Sequence, residues 1–321
     1  MHTDAFLIML RNVLLFVALA LPGFLLVKCK LMKQEQSGAL SKLLMYVGMP
    51  FLILSGTVNN LTFNKETLLS VGLVTLIGIA YTFAMFFGSH PLTAMEKEKK
   101  VKGMMRFCAV FSNNGFLGIP LAIAVFGQSS PVFTVLIVLN IITNVLMYTL
   151  GAYLVSGDRR SISLKKAFLN PVLIAFLIGI LLNLLDIKSY VPEVVTYAGH
   201  FSNIVTPVSM TILGMKLGAV KLRTLFGSWR TYYVSALKLI AFPALIVALL
   251  LPFKLIPNSI VTADVILGFF VAFAMPTAGL ASTFADSFGG DAENAVAFTL
   301  GTTLLSILTI PALYWLLCLC L

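Results

Sequence analysis

Two adjacent asparagines stand inside an apolar run, FSNNGFLGIPLAIAVFG (Phe111–Gly127). Asn113 and Asn114 bring amide donors and acceptors to a place where hydrocarbon satisfies neither. Gly115 follows them, and Pro120 lacks an N–H and crowds the carbonyl of Phe116. Helix breaks at membrane depth persist only where protein or a water-filled cavity covers them, and they mark substrate sites in transporters. A second run, VAFAMPTAGLASTFADSFG (Val271–Gly289), carries Met275, Pro276 and Thr277 at the corresponding place. A helix half that restarts after such a break exposes N–H groups and partial positive charge, a receptor for a carboxylate or another small anion. The half that ends there exposes carbonyls, which need donors or a cation.

Lys238 is nine residues beyond Trp229, which opens an aromatic and basic cluster with Arg230, Tyr232 and Tyr233 that reads as a membrane interface. On a helix that places it about 13 Å deep, where an unpaired ammonium costs about 3 kcal/mol on insertion scales. The free carbonyls of the two breaks are its preferred partners, so that the ammonium stands in for a sodium ion or adds positive charge for an anion. The alternative is a lysine that snorkels along its own stem to the cytoplasmic interface. Asn140 and Asn144, four apart, share one helical face and either line a cavity or join helices. Ser55, late in its span, is a further candidate. Thr302, Thr303 and Ser306 carry hydroxyls that back-bond to their own helix in most settings.

Other chemistries lack their residues. The four cysteines (Cys29, Cys108, Cys318, Cys320) show neither metal spacing nor a disulfide framework, and the three histidines are scattered. No His, Asp or Glu at mid-depth supplies a nucleophile–base or metal constellation, so no enzyme and no cofactor is expected.

These residues must be positioned by membrane helices. The chain is 59% hydrophobic and only 11% charged, about half the charged share of soluble domains. Its +10 net charge lies in short clusters between apolar stretches, which reads as topology rather than a nucleic-acid surface. The pattern gives an all-α membrane protein of ten spans, near 5–27, 38–58, 67–88, 103–126, 131–154, 170–187, 194–215, 230–251, 260–285 and 292–318. Connections are short and the first span reads as retained rather than cleaved, giving a single membrane domain over 1–321.

Basic residues cluster after span 1 (Lys28, Lys30, Lys33, Lys42), span 3 (Lys97 to Arg106), span 5 (Arg159, Arg160, Lys165, Lys166) and span 7 (Lys216, Lys221, Arg223, Arg230). The alternate loops hold only Lys65, Lys188 and Lys254. Both termini are therefore expected outside the cytoplasmic membrane. Aligning Phe111 with Phe273 also aligns Phe126-Gly127 with Phe288-Gly289, an offset of 162 (273 − 111). Two five-span repeats follow, about 1–155 and 168–321. An odd number of spans per repeat inverts the second, with spans 4 and 9 as its crossed, broken helices.

FSNNGFLGIPL (111–121), Asn170-Pro171 in FLNPVLIAFLIGILL, ALKLIAFPALIV (236–247), AMPTAGLASTFADSFGGDAENA (274–295) and TLLSILTIPAL (303–313) together resemble the auxin efflux carrier family, over essentially the whole chain. The short loops are similar to those of its prokaryotic members, some implicated in malonate or other organic-acid transport. The resemblance implies a fold like that of bile-acid transporters and sodium/proton antiporters. Spans 1, 2, 6 and 7 would form a scaffold and often a homodimer interface, and spans 3–5 and 8–10 a moving transport unit. In the plant carriers an Asn of span 4 contacts the auxin carboxylate, and Asn113 or Asn114 is the match. Those carriers also have an Asn beside the span 9 proline, where this chain has Met275. Sodium-coupled relatives use acidic or amide ligands at the crossing, which span 9 lacks at its centre. Coupling to protons or sodium is left open.

The expected function is secondary active transport of a small organic anion by elevator-like alternating access. The competing expectations are a transporter-like sensor that binds without flux and a passive anion channel.

Overall fold

The computed structural model describes residues 2–221, 225–257 and 259–321, with side chains from residue 6 onward. Arg223, counted above with the basic residues, lies outside the described residues. Described elements are helical, apart from one isolated bridge. In chain order the helices used below are α1 (His2–Lys28), α2 (Gln34–Asn60), α3 (Lys65–Leu92), α4 (Lys99–Val110), α5 (Asn114–Phe126), α6 (Pro131–Ser156) and α7 (Pro171–Leu184). There follow α8 (Glu193–Ser202), α9 (Val205–Ala219), α10 (Trp229–Lys254), α11 (Ala263–Ala274), α12 (Ala281–Phe288) and α13 (Ala292–Cys320).

Among the described residues, seven helical stretches are long and apolar enough to cross a membrane. The other three expected spans are each interrupted: 103–126 into α4 and α5, 194–215 into α8 and α9, and 260–285 into α11 and α12. The break within 194–215 was not anticipated. It falls at Asn203-Ile204, and Pro207 explains it, because its ring cannot bond to the Asn203 carbonyl four residues back.

Proline acts differently where the helix continues. Before Pro50, Pro120 and Pro243 the helix widens for one turn, so that Met49, Ile119 and Phe242 bond five residues back, to Leu44, Asn114 and Leu237. One extra residue per turn relieves the clash without ending the helix. Pro120 therefore sits inside α5, and the actual break precedes it at Phe111–Asn113.

α1 packs along α9, α7 and α8 along α2, and α6 along α3 and α11. The first contact is backbone to backbone: a Cβ on Gly23 would lie 1.9 Å from the Thr211 carbonyl oxygen, and one on Gly214 equally close to that of Ala20. Close approach over small residues is how helices associate where lipid removes the hydrophobic drive between them. Leu14, Leu21 and Leu25 of α1, Leu76 and Phe87 of α3, and Leu177 and Leu181 of α7 stay exposed, an apolar outer surface suited to acyl chains.

Candidate functional site

Both broken helices open at the same place. α4 ends at Val110 and α11 at Ala274, and each chain runs on in extended conformation. The extended pieces pair antiparallel through Ser112 and Thr277. Asn113 donates its backbone N–H to the Pro276 carbonyl (2.7 Å), and Ala278 donates to that of Phe111 (2.9 Å). These two bonds satisfy backbone groups that would otherwise be orphaned at the breaks. Thr302 of α13 adds a third support, its hydroxyl accepting the Thr277 N–H at 3.2 Å.

The four helix ends sort by polarity. Carbonyls at the C-terminal ends are covered: the Thr277 hydroxyl donates to Cys108 O (2.9 Å), and the Lys238 ammonium donates to the Ser112 hydroxyl and to Phe273 O, the latter at 3.4 Å. Lys238 is fully buried in the widened turn Leu237–Ala241. It does not snorkel. The N-terminal ends instead face a cavity. Residues 112–116 at the start of α5 and 278–280 before α12 line it, with Asn140, Thr143 and Asn144 of α6, Asn170 before α7, and Met45 and Met49 of α2. It holds about 50 Å³, room for a few waters or one carboxylate-sized group.

Amides run through its wall as a chain. Asn114 donates to the Thr143 hydroxyl and accepts from Asn140, both at 3.0 Å. Asn144 donates to the backbone carbonyl of Asn140 (2.8 Å) and to its side-chain oxygen (3.3 Å), and accepts from Asn170 at 3.5 Å. Asn170 also caps α7 by accepting the Val172 N–H at 2.9 Å. Gly115 is required beside this chain, since a Cβ there would come within 2.8 Å of the Asn140 amide nitrogen. Asn113, among the described residues, makes no side-chain hydrogen bond and so keeps a free amide at the cavity.

The structure thus brings Asn113, Asn114, Gly115, Asn140 and Asn144 to one cavity. Lys238, Met275, Pro276 and Thr277 build the crossover behind it, and Met275 packs on Gly118 two residues before Pro120. Ser55 is not part of this lining; it accepts from Asn59 within α2 (3.4 Å). The reason is helical phase: Ser55 is six residues beyond cavity-lining Met49, or about 240° around the helix. Ser112, Thr143, Asn170 and Thr302 were not singled out from the sequence as site residues. Hydroxyls at α-helical spacing carry no signal that separates a cross-helix bond from back-bonding. A second, wider cavity of about 570 Å³ shares Met45 and Asn170 with the first and is flanked by Lys165 and Lys166.

Broken apolar helices that meet at an amide-lined cavity, within a bundle of span-length helices, belong to a multi-pass membrane transporter. Residues 8–314 match the membrane transport protein family, and the chain belongs to it, the family of the auxin efflux carriers. An uncharacterized transporter of Methanothermobacter thermautotrophicus is 25% identical over 311 residues, 94% of this chain and 96% of its own length. An uncharacterized transporter of Methanocaldococcus jannaschii is 27% identical over 242 residues, covering 72% and 76% of the two chains.

Proposed function

We propose that the protein is a secondary active transporter of a small organic anion, a carboxylate, across the cytoplasmic membrane. The observation that carries this reading is the polarity of the crossover. Two helix N-termini, each worth roughly half a positive charge, border the cavity with the Asn113 amide, while the C-terminal ends are covered by Lys238 and Thr277. A cation would find the opposite arrangement.

In this reading the seven long helices and the three interrupted ones make ten crossings with both termini outside. They form two inverted five-span repeats, and the scaffold spans 1, 2, 6 and 7 pair two protomers. Substrate sits between the α5 and α12 starts and the amide chain. Access alternates as spans 3–5 and 8–10 move against the scaffold. The close α1–α9 and α2–α7 packing suits a scaffold that stays together during that motion.

The test is counterflow of radiolabelled mono- and dicarboxylates in proteoliposomes, with and without sodium and at two pH values. Saturable exchange that is concentrative under an ion gradient supports the proposal. Binding without flux assigns a sensor, and downhill flux without counterflow assigns a channel; either overturns it.

A further inference from the structure

Lys216 is a basic residue that the sequence places in a cytoplasmic turn. The structure puts it in the last turn of α9, half-buried, with its ammonium on the Gly279 carbonyl at 3.0 Å. Gly279 is a cavity-lining residue two positions before α12, and a Cβ there would lie 3.6 Å from the free Asn113 amide nitrogen. The carbonyl uses one of three ammonium donors. Among the described residues no carboxylate pairs with Lys216.

The other lysine at the crossover is differently placed. Lys238 is fully buried and committed to Ser112 and Phe273 O. Of these two lysines, Lys216 is the one that joins a positive charge on a flexible four-carbon stem to a cavity-lining residue, Gly279, without an anionic partner among the described residues.

We propose that Lys216 is the counter-charge of the transported anion. Resting on Gly279 O in the empty protein, it transfers to a carboxylate that occupies the cavity beside Asn113. The exchange is favourable because an ammonium–carboxylate hydrogen bond is about twice as strong as one between neutral groups. It also frees the Gly279 carbonyl, so occupancy loosens the tie between α9 and the segment before α12. Substrate binding and release of that tie become one event. This inference rests on the transport reading above and adds to it the residue that selects for negative charge.

The experiment is thermal stabilisation of the purified full-length protein by acetate, malonate and succinate at constant ionic strength, in wild type, Lys216→Gln and Lys216→Arg. Wild type is expected to be stabilised by at least one of the three. Lys216→Gln should weaken that apparent affinity by tenfold or more, while Lys216→Arg stays within about threefold of wild type, since arginine keeps the charge. Wild-type affinity in Lys216→Gln overturns this inference and leaves the transport reading standing. Equal loss in both variants, with lowered melting temperature of the ligand-free protein, makes Lys216 a structural cap and also overturns it. Wild type unmoved by all three acids, with no counterflow of them, overturns the transport reading and this inference with it.

Discussion

Lys238 of α10 reaches the hydroxyl of Ser112, the residue at which the first broken helix pairs with the second. Ser112 also lines the cavity, so one hydroxyl stands between a buried ammonium and the cavity. The ammonium covers the Phe273 carbonyl at the end of α11, which would otherwise lack this donor. The crossover is thereby closed on its negative side and left open on its positive side.

Lys238→Ala should abolish exchange while leaving membrane insertion intact. Because Phe273 O and the Ser112 hydroxyl lose their donor, sodium is expected to stabilise this variant thermally and not the wild type. Melting curves in sodium against choline salts check it. A sodium-insensitive variant that still transports would remove Lys238 from the crossover's function.

Asn114→Ala breaks two hydrogen bonds at once and strands the buried Asn140 amide. A buried group left unsatisfied costs about 1–3 kcal/mol. Lower thermal stability and loss of counterflow are expected together. Asn113→Ala, which breaks no side-chain bond, should lose counterflow with stability unchanged. Melting temperature and flux measured in parallel separate the two asparagines.

Thr277→Val keeps the shape of the side chain but leaves Cys108 O without its donor. A destabilisation of about 1–2 kcal/mol is expected, with the Asn113–Pro276 and Ala278–Phe111 pairing retained. Thr302→Val removes the acceptor of the Thr277 N–H and should add to it less than fully, since both changes act on one residue. A double-mutant comparison in detergent measures this.

Gly214→Val would drive a side chain into the Ala20 carbonyl, where even a Cβ comes within 1.9 Å. Backbone atoms cannot swing aside, so α1 and α9 must separate. Loss of monodisperse protein on size-exclusion chromatography is expected. Gly72→Val, at a position where a Cβ meets nothing within 4 Å, should fold as wild type.

Much of this arrangement was legible in the residues. Hydropathy exposed the long helices, because a helix in lipid must be apolar over its whole length. Asn113-Asn114 and Met275-Pro276 marked both breaks, since polar amides and a missing N–H are rarely tolerated there without cover. Register was legible at the helix ends, where Gly127 and Gly289 close α5 and α12 with positive φ at the offset of 162, but not at the crossover. The alignment of Phe111 with Phe273 sets Asn113 against Met275, whereas the two crossover bonds interchange at an offset of 165 (278 − 113 and 276 − 111), which sets Asn113 against Ala278. Weak likeness between apolar segments does not fix a three-residue shift.

The sequence by itself determined that the chain is a bundle of membrane helices, that two of them are interrupted, and that amides and a lysine lie at the interruptions. Those properties are local: each follows from what one stretch of side chains does to its own backbone in hydrocarbon. Only the tertiary structure decided that Lys238 turns to Ser112 and the Phe273 carbonyl, that Asn140 bonds Asn114, and that Lys216 bonds the Gly279 carbonyl. Each of those facts is a distance between residues far apart in the chain. Such distances are set by helix phase and by packing over glycine, which no single stretch encodes.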